Sequence, residues 1–320
     1  MAPATQTTVL KTAIATYPHT KGLKDGTVTA PGIEFEHVEI TPIIAAFRRM
    51  CRRLEFDVAE MAITTYLTAK AYNKPFTALP VFVVRQFHHS PIVYNVKSGV
   101  TSPKDLEGKK VGVRAYTVTT GVWARGILAT EYGVDLSRVT WVLADEEHVE
   151  EYHKYYPPNV VYQAGANLGA MVASGALDAA IGVGQVDSPD VKPLIPNARE
   201  AEAAWYRKTG LYPINHTVVV KDSLLQADPT LAPRLFEAFK EAKAVFLRQL
   251  DTGGIGGELS GEDQVLAQRR SLVGDDPLPY GLARNHKAIE AVIQFAQDQK
   301  ILPRKVSPEE MFASNTLNLE

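Results

Sequence analysis

Residues 8–15 (TVLKTAIA) form a strand-like opening that ends at the polar turn 17–20 (YPHT). Apolar and charged residues alternate over 33–38 (IEFEHV), the period of a half-buried strand. A helix is expected from Thr41-Pro42 through Arg53, because proline suits the first helical position and threonine ahead of it can accept from a free helix N–H. The run 56–61 (FDVAEM) reads as a short buried strand, with a helix following over about 64–72. Residues 79–84 (LPVFVV) are strongly β-forming and lead through 85–90 (RQFHHS) into a further extended run at 91–95. A second series then begins, with a turn and short helix at 102–108, a strand at 110–113 and a helix over 120–132 that Gly133 can end. A strand at 139–142, a helix from Asn167 to Ser174 stopped by Gly175, a strand at 177–182 and a β-forming run at 214–220 complete it. Strands alternating with helices predict parallel sheet. The last hundred residues read as mostly helical, with apolar stripes at Leu235, Phe236, Phe239, Ala242, Val245, Phe246 and Leu250, and at Ile289, Val292, Ile293 and Ala296.

No tandem repeat or low-complexity linker divides the chain. At 320 residues it is long enough for two cores, since one core stops growing near roughly 250–300 residues. The β runs near 80–95 and 213–220 are the expected crossings between two α/β lobes. Residues 1–90 with 215–320 would make one lobe, completed by the C-terminal helices, and residues 91–214 the other.

Composition mainly excludes. With 34 basic and 36 acidic residues the net charge is −2, which gives no footprint for nucleic acid or an anionic membrane. One cysteine, Cys51, rules out an internal disulfide and any multi-cysteine zinc site. The arginines around it (Arg48, Arg49, Arg52, Arg53) can lower a thiol pKa, although a buried helix cysteine without a role is the simpler expectation. Residues 1–22 lack a basic stretch followed by an apolar one, and no stretch has the length of a membrane span, so a cytoplasmic location is expected. The glycine run 253–257 (GGIGG) follows a helix and lacks the Lys-Ser/Thr of a phosphate loop. No HExxH or GxSxG pattern occurs. His148 and His153 are five apart, off a common helical face, and Glu146, Glu147, Glu150 and Glu151 read as a solvated acidic surface.

Polar residues that interrupt the apolar strands are the candidates for chemistry. Arg85, His88 and His89 come where a strand ends, and Arg114, Tyr116, Thr117, Thr119 and Thr120 lie between a strand end and a helix start. Ligands of open α/β sheets sit outside such strand ends, and free N–H groups at a helix start favour an anion. Arg85 and Arg114 can each grip a carboxylate through two parallel hydrogen bonds. His88 and His89 point to opposite faces if extended, so at most one faces a cleft. His216 is a lone imidazole in an apolar strand, Glu60 is a carboxylate beside a buried strand, and Trp123 suits a core or a cleft wall.

The segments 56–67 (FDVAEMAITTYL), 79–95 (LPVFVVRQFHHSPIVYN), 102–134, 212–220 (YPINHTVVV) and 311–316 (MFASNT) resemble the 4,5-dihydroxyphthalate decarboxylase family, which is related to type II periplasmic solute-binding proteins. The resemblance runs over nearly the whole chain and is most specific at Tyr116-x-x-Thr119-x-x-x-Trp123-x-Arg125-Gly126 and at Pro213-Ile214-x-His216-Thr217. The family often has arginine where this chain has His88, which bears on the grip on a dianion. The resemblance implies two α/β lobes joined by a two-stranded hinge, with the ligand in the cleft between them. It implies an aromatic decarboxylase that converts a catechol with two adjacent carboxylates into 3,4-dihydroxybenzoate and carbon dioxide. The alternatives are a non-catalytic solute-binding protein for a small carboxylate, and another cytoplasmic enzyme of this fold acting on a different cyclic acid.

Such a substrate carries a hydroxyl para to each carboxylate. Direct loss of carbon dioxide would leave an unstabilised aryl anion. Protonating the ring carbon that bears the carboxylate, while the para oxygen supplies electrons, gives a dienone that regains aromaticity as carbon dioxide leaves. No organic cofactor is required, and a divalent ion on the catechol oxygens is compatible with Glu60 and the histidines without any spacing that demands it. On this reading Arg85, Arg114 and His88 face the carboxylates with Thr119 and Thr120, His89 or His216 moves protons, Glu60 orients a histidine or accepts from a catechol hydroxyl, and Tyr116 and Trp123 wall the ring. The partner is a small aromatic dicarboxylate, and the oligomeric state, a homo-oligomer included, is left open.

Overall fold

The computed structural model describes residues 7–252 and 261–320, so the glycine run 253–257 lies outside the described residues. Two sheets organise the chain. The first contains β1 (Thr8–Ala13), β2 (Ile33–His37), β3 (Val58–Ala62), β4 (Phe76–Arg85) and β11 (Ile214–Lys221), in the order β2-β1-β3-β11-β4. The second contains β5 (Ile92–Asn95), β6 (Lys110–Val113), β7 (Thr140–Leu143), β8 (Val160–Tyr162), β9 (Ala179–Ile181) and β10 (Val191–Pro193), in the order β10-β5-β9-β6-β7-β8. The expected parallel pairing holds within β2-β1-β3 and within β9-β6-β7-β8. It fails where the chain returns: β11 runs antiparallel to both β3 and β4, and β5 antiparallel to β9 and β10.

The helices are α1 (Lys21–Lys24), α2 (Ile44–Arg53), α3 (Ile63–Ala71), α4 (Thr119–Tyr132), α5 (Leu168–Ser174), α6 (Ala198–Thr209), α7 (Asp222–Ala227), α8 (Leu231–Asp251), α9 (Gly261–Val273) and α10 (Leu282–Asp298). Helix α2 starts at Ile44, past the expected Thr41-Pro42, and no side chain caps its first turn. Gly133 ends α4 at φ 65°, as its position predicted, and the Asn167 side chain accepts from Ala170 N–H at the start of α5. Short, partly exposed β8 and β10 and the polar α6 carry too little apolar periodicity to be read from sequence. Among the described residues no helix is long and apolar enough to cross a membrane.

The two apolar stripes of the C-terminal region lie on α8 and α10 and are buried except at Val245, which is half-buried. Helix α10 packs on α4 at Gly126, where an added Cβ would come within 2.1 Å of the Phe295 ring. Arg125, fully buried in α4, donates from Nε to Gln299, and Gln299 donates to the Val122 carbonyl. This contact ties the C-terminal helix to the helix that follows β6.

The acidic cluster is not uniformly solvated. Glu147 is buried and accepts from the backbone N–H groups of Tyr116 and Thr117, the Thr117 hydroxyl and the Tyr156 hydroxyl. Four donors on one carboxylate fix the turn between β6 and α4, which is why this glutamate turns inward. Cys51 is buried in α2, as the simpler expectation had it, and burial pushes its thiol up to about 12 despite the neighbouring arginines.

Candidate active site

Glu60 lies on β3 with no exposed surface. Its carboxylate accepts from Ala15 N–H at 3.0 Å, from the Tyr17 hydroxyl at 2.7 Å and meets His216 Nδ1 at 2.6 Å. Burial alone would raise its pKa. The His216 hydrogen bond and charge, with the Ala15 and Tyr17 donors, outweigh that and hold the carboxyl below its usual range. His216 lies on β11 between two register irregularities in the pairing with β4. Bulges of this kind re-aim a side chain, here toward a cavity next to the sheet. With Nδ1 engaged by Glu60, Nε2 is the nitrogen left for the cavity.

That cavity, of about 150 Å³, is bordered by Ile44 and Phe47 of α2, Ala62 and Thr65 at the start of α3, Val118, Thr119 and Thr120 at the start of α4, and Ile181, Gly182, Asn215, Arg114, His148 and His216. Two helix N-termini therefore open onto one space. The residues ahead of both first turns, Ala62 and Val118, are extended and provide no side-chain cap. Thr64 N–H in the first turn of α3 donates to the Thr119 hydroxyl at 3.3 Å. The remaining first-turn N–H groups, with the positive ends of two helix dipoles, favour an anion there. The Thr64 hydroxyl meets the Thr117 carbonyl at 2.6 Å and the Thr119 hydroxyl at 2.8 Å, which locks the two helix starts together. Phe47 presents an edge-on contact to His216 at 5.1 Å and to His148 at 5.9 Å. His148 Nδ1 lies 3.3 Å from the Thr65 hydroxyl, and burial, with Arg114 and Arg48 nearby, lowers its pKa to about 3, so it stays neutral.

A wider cavity of about 620 Å³ shares Ile44, Arg114 and His148 with the first and is lined also by Arg48, Arg49, Arg52, Arg53, Asp145 and Glu150. Arg114 Nη1 donates to Asp145 at 3.1 Å, and Arg48 Nη2 donates to the other oxygen of Asp145 at 3.0 Å.

The candidate residues separate into three groups. Arg114, Thr119, Thr120 and His216 line the inner cavity, with Glu60 directly behind His216. His88 lies one layer back: it has no exposed surface, stacks on Trp123, and its Nε2 lies 3.1 Å from Asn215 Oδ1, which holds a cavity-wall residue in place. Arg85, His89, Tyr116 and Trp123 do not border the cavity, and each placement corrects the expectation. The Arg85 guanidinium is buried over the Tyr212 ring, with both Nη groups spent on Asn285, the Tyr212 carbonyl and the Pro279 carbonyl, so it has no Nη pair to offer a ligand. It borders a separate cavity with Tyr17, His19 and Arg269. His89 is buried edge-on against Trp205. The Tyr116 ring lies between the Arg125 guanidinium, 4.2 Å from its centroid, and Tyr152. Trp123 donates from Nε1 to the Ile214 carbonyl at 3.0 Å inside the core.

Phe47, Thr65, His148, Asn215 and Arg48 were not identified as candidates from sequence. Asn215, next to His216 in the Pro-Ile-Asn-His-Thr segment, carried the clearest signal. Ile44, Phe47 and Arg48 fall at helical spacing on one face of α2, which points them together at the cavities. His148 was hidden among glutamates.

Among the described residues, no group of three or more His, Cys, Asp or Glu side chains is placed to hold a metal ion. No protein-family model matches the chain. Solved structures with the same fold include the sulfonate-binding proteins SsuA from Methylobacillus flagellatus (13% identity, 99% of this chain and 97% of that one, TM-score 0.56) and from Xanthomonas axonopodis pv. citri (15%, 98% and 99%, 0.53). The desulfurization enzyme DSZB is similar to the same degree (15%, 98% and 99%, 0.54). The fold is thus that of the periplasmic binding proteins, and it hosts both binders and enzymes. Two curated proteins are closer in sequence. The 4,5-dihydroxyphthalate decarboxylase of Comamonas testosteroni is 31% identical over 95% of this chain and 96% of its own length, and that of Pseudomonas putida 31% over 62% and 81%. By sequence along almost its whole length, and by fold, the chain belongs to the 4,5-dihydroxyphthalate decarboxylase family.

Proposed function

We propose that the chain decarboxylates 4,5-dihydroxyphthalate to 3,4-dihydroxybenzoate and carbon dioxide. The reading is carried by His216, pinned through Nδ1 by a buried carboxylate, on the wall of a cavity bordered by an arginine and two helix starts. Family membership supports it, because the relatives that define the family are named for this reaction.

The assignment of groups follows from where charge changes. The departing carboxylate becomes neutral carbon dioxide, so a cation bound to it opposes the reaction. The cations belong with the carboxylate that stays. Arg114 and the N–H groups of the α3 and α4 starts hold that spectator group. Ile44, Phe47, Ala62, Val118 and Ile181 give the ring an apolar wall. His216 delivers a proton from Nε2 to the ring carbon as the para oxygen releases its own. Glu60 fixes which nitrogen faces the substrate. Burial leaves His148 neutral and too weak a base to take a proton, so it only hydrogen-bonds a catechol hydroxyl, whose proton passes to solvent and is returned as carbon dioxide leaves. One proton enters the ring at the carbon that loses carbon dioxide, and the substrate's own hydroxyl is the electron source, so no organic cofactor takes part. We place this reaction in the cytoplasm, as part of aromatic-acid breakdown.

Incubation with 4,5-dihydroxyphthalate, with carbon dioxide and 3,4-dihydroxybenzoate followed by chromatography, tests the proposal. Stoichiometric formation of both supports it. Thermal stabilisation with the diacid recovered intact would instead identify a carboxylate-binding protein.

A further inference from the structure

The Arg48–Asp145–Arg114 bridge has the form of an occupied carboxylate site. Each oxygen of Asp145 takes an N–H from a different arginine, at 3.0 and 3.1 Å, and Oδ1 also accepts from Glu146 N–H at 2.8 Å. Arg48 comes from α2 beside the first sheet, whereas Arg114 and Asp145 follow β6 and β7 of the second, so the bridge spans the seam between them. Its side chains are 36% and 39% exposed, which makes the pairs weak and exchangeable. Arg114 and His148 border both the inner cavity and the wider one, so an anion at this bridge lies next to the ring pocket.

We propose that Arg48 is a second substrate-binding arginine, and that Asp145 is a tethered stand-in which the spectator carboxylate of an ortho-dicarboxylate displaces. The inference rests on the decarboxylase reading and names the second group that holds the spectator carboxylate. With Asp145 in place, two cations are neutralised by one anion; exchange for a substrate carboxylate leaves that balance intact while linking α2 to the β6–α4 turn.

Phthalate, which has the paired carboxylates but no hydroxyls to drive decarboxylation, is the probe, and its affinity for wild type, Arg48→Gln and Asp145→Asn is measured by calorimetry. Loss of one charge-assisted contact weakens binding roughly tenfold to a hundredfold in Arg48→Gln. Removal of the competing anion tightens binding several-fold in Asp145→Asn. Unfolding temperatures of the free variants confirm that both fold. Unchanged affinity in Arg48→Gln, or weaker affinity in Asp145→Asn, overturns the proposal, the latter because Asp145 would then be orienting the arginines. A wild type that binds phthalate with this pattern yet leaves 4,5-dihydroxyphthalate intact refutes the decarboxylase reading alone. Turnover that is unaltered in Arg48→Gln refutes this inference alone.

Discussion

Glu60 and His216 are diagonal neighbours on adjacent antiparallel strands: Glu60 pairs with Val218, His216 pairs with Ala62, and their side chains meet at 2.6 Å. Residues two apart on a strand share a face, so this register brings a carboxylate and an imidazole 156 positions apart in sequence into one hydrogen bond.

Replacing His216 by glutamine removes the proton carrier while keeping the approximate side-chain volume. A fall in kcat of about 10²–10⁴-fold is expected, with a smaller change in KM. Steady-state kinetics on the folded variant measures both, and full turnover would remove His216 from the mechanism.

The two arginines expected from sequence to act alike should now behave differently. Arg114→Lys loses the planar fork at the cavity, so KM rises about tenfold with kcat little changed. Arg85→Lys leaves KM unaltered and lowers the unfolding temperature, because the buried carbonyl and Asn285 acceptors lose their donors. A KM effect at Arg85 would contradict its assignment to the core.

Gly126 gives Phe295 its place against α4. Gly126→Ala should destabilise by about 1–3 kcal/mol through overpacking, despite alanine's better helix propensity. Chemical denaturation measures this, and an unchanged midpoint would show that α10 shifts freely.

Stability should decline on mild acidification. Burial lowers the pKa of His19 and His89 to about 4 and of His88 and His148 to about 3, each from an ordinary 6.5. Below pH 6.5 the unfolded chain takes up protons that these folded imidazoles refuse, so stability is complete above that pH and falls as pH drops toward 4 or 3. Each histidine contributes up to about 2 kcal/mol of this loss by pH 5. Thermal melts between pH 7.5 and 5 check the trend, and a flat profile would contradict it.

Much of the fold was legible because its signals are local. Alternation marked β2, an apolar run marked β4, and Gly133 and Gly175 marked helix ends at the residues where they occur. Arg114, Thr119 and Thr120 were also legible, since a strand end followed by a helix start is a local pattern that places them at the anion-favouring edge of a sheet. Arg85 met the same criterion and failed it, because Tyr212, Pro279 and Asn285, all distant in sequence, close over its guanidinium.

The sequence by itself therefore determined most of the elements, the α/β class and, through family resemblance, the reaction to expect. Only the tertiary structure decided which polar groups meet. Backbone periodicity is set within a few residues, whereas the partner of a buried charge is set by strand register and helix docking across the chain. The antiparallel return of β11 between β3 and β4 joins His216 to Glu60, and the packing of α2 near residue 145 joins Arg48 to Arg114 through Asp145.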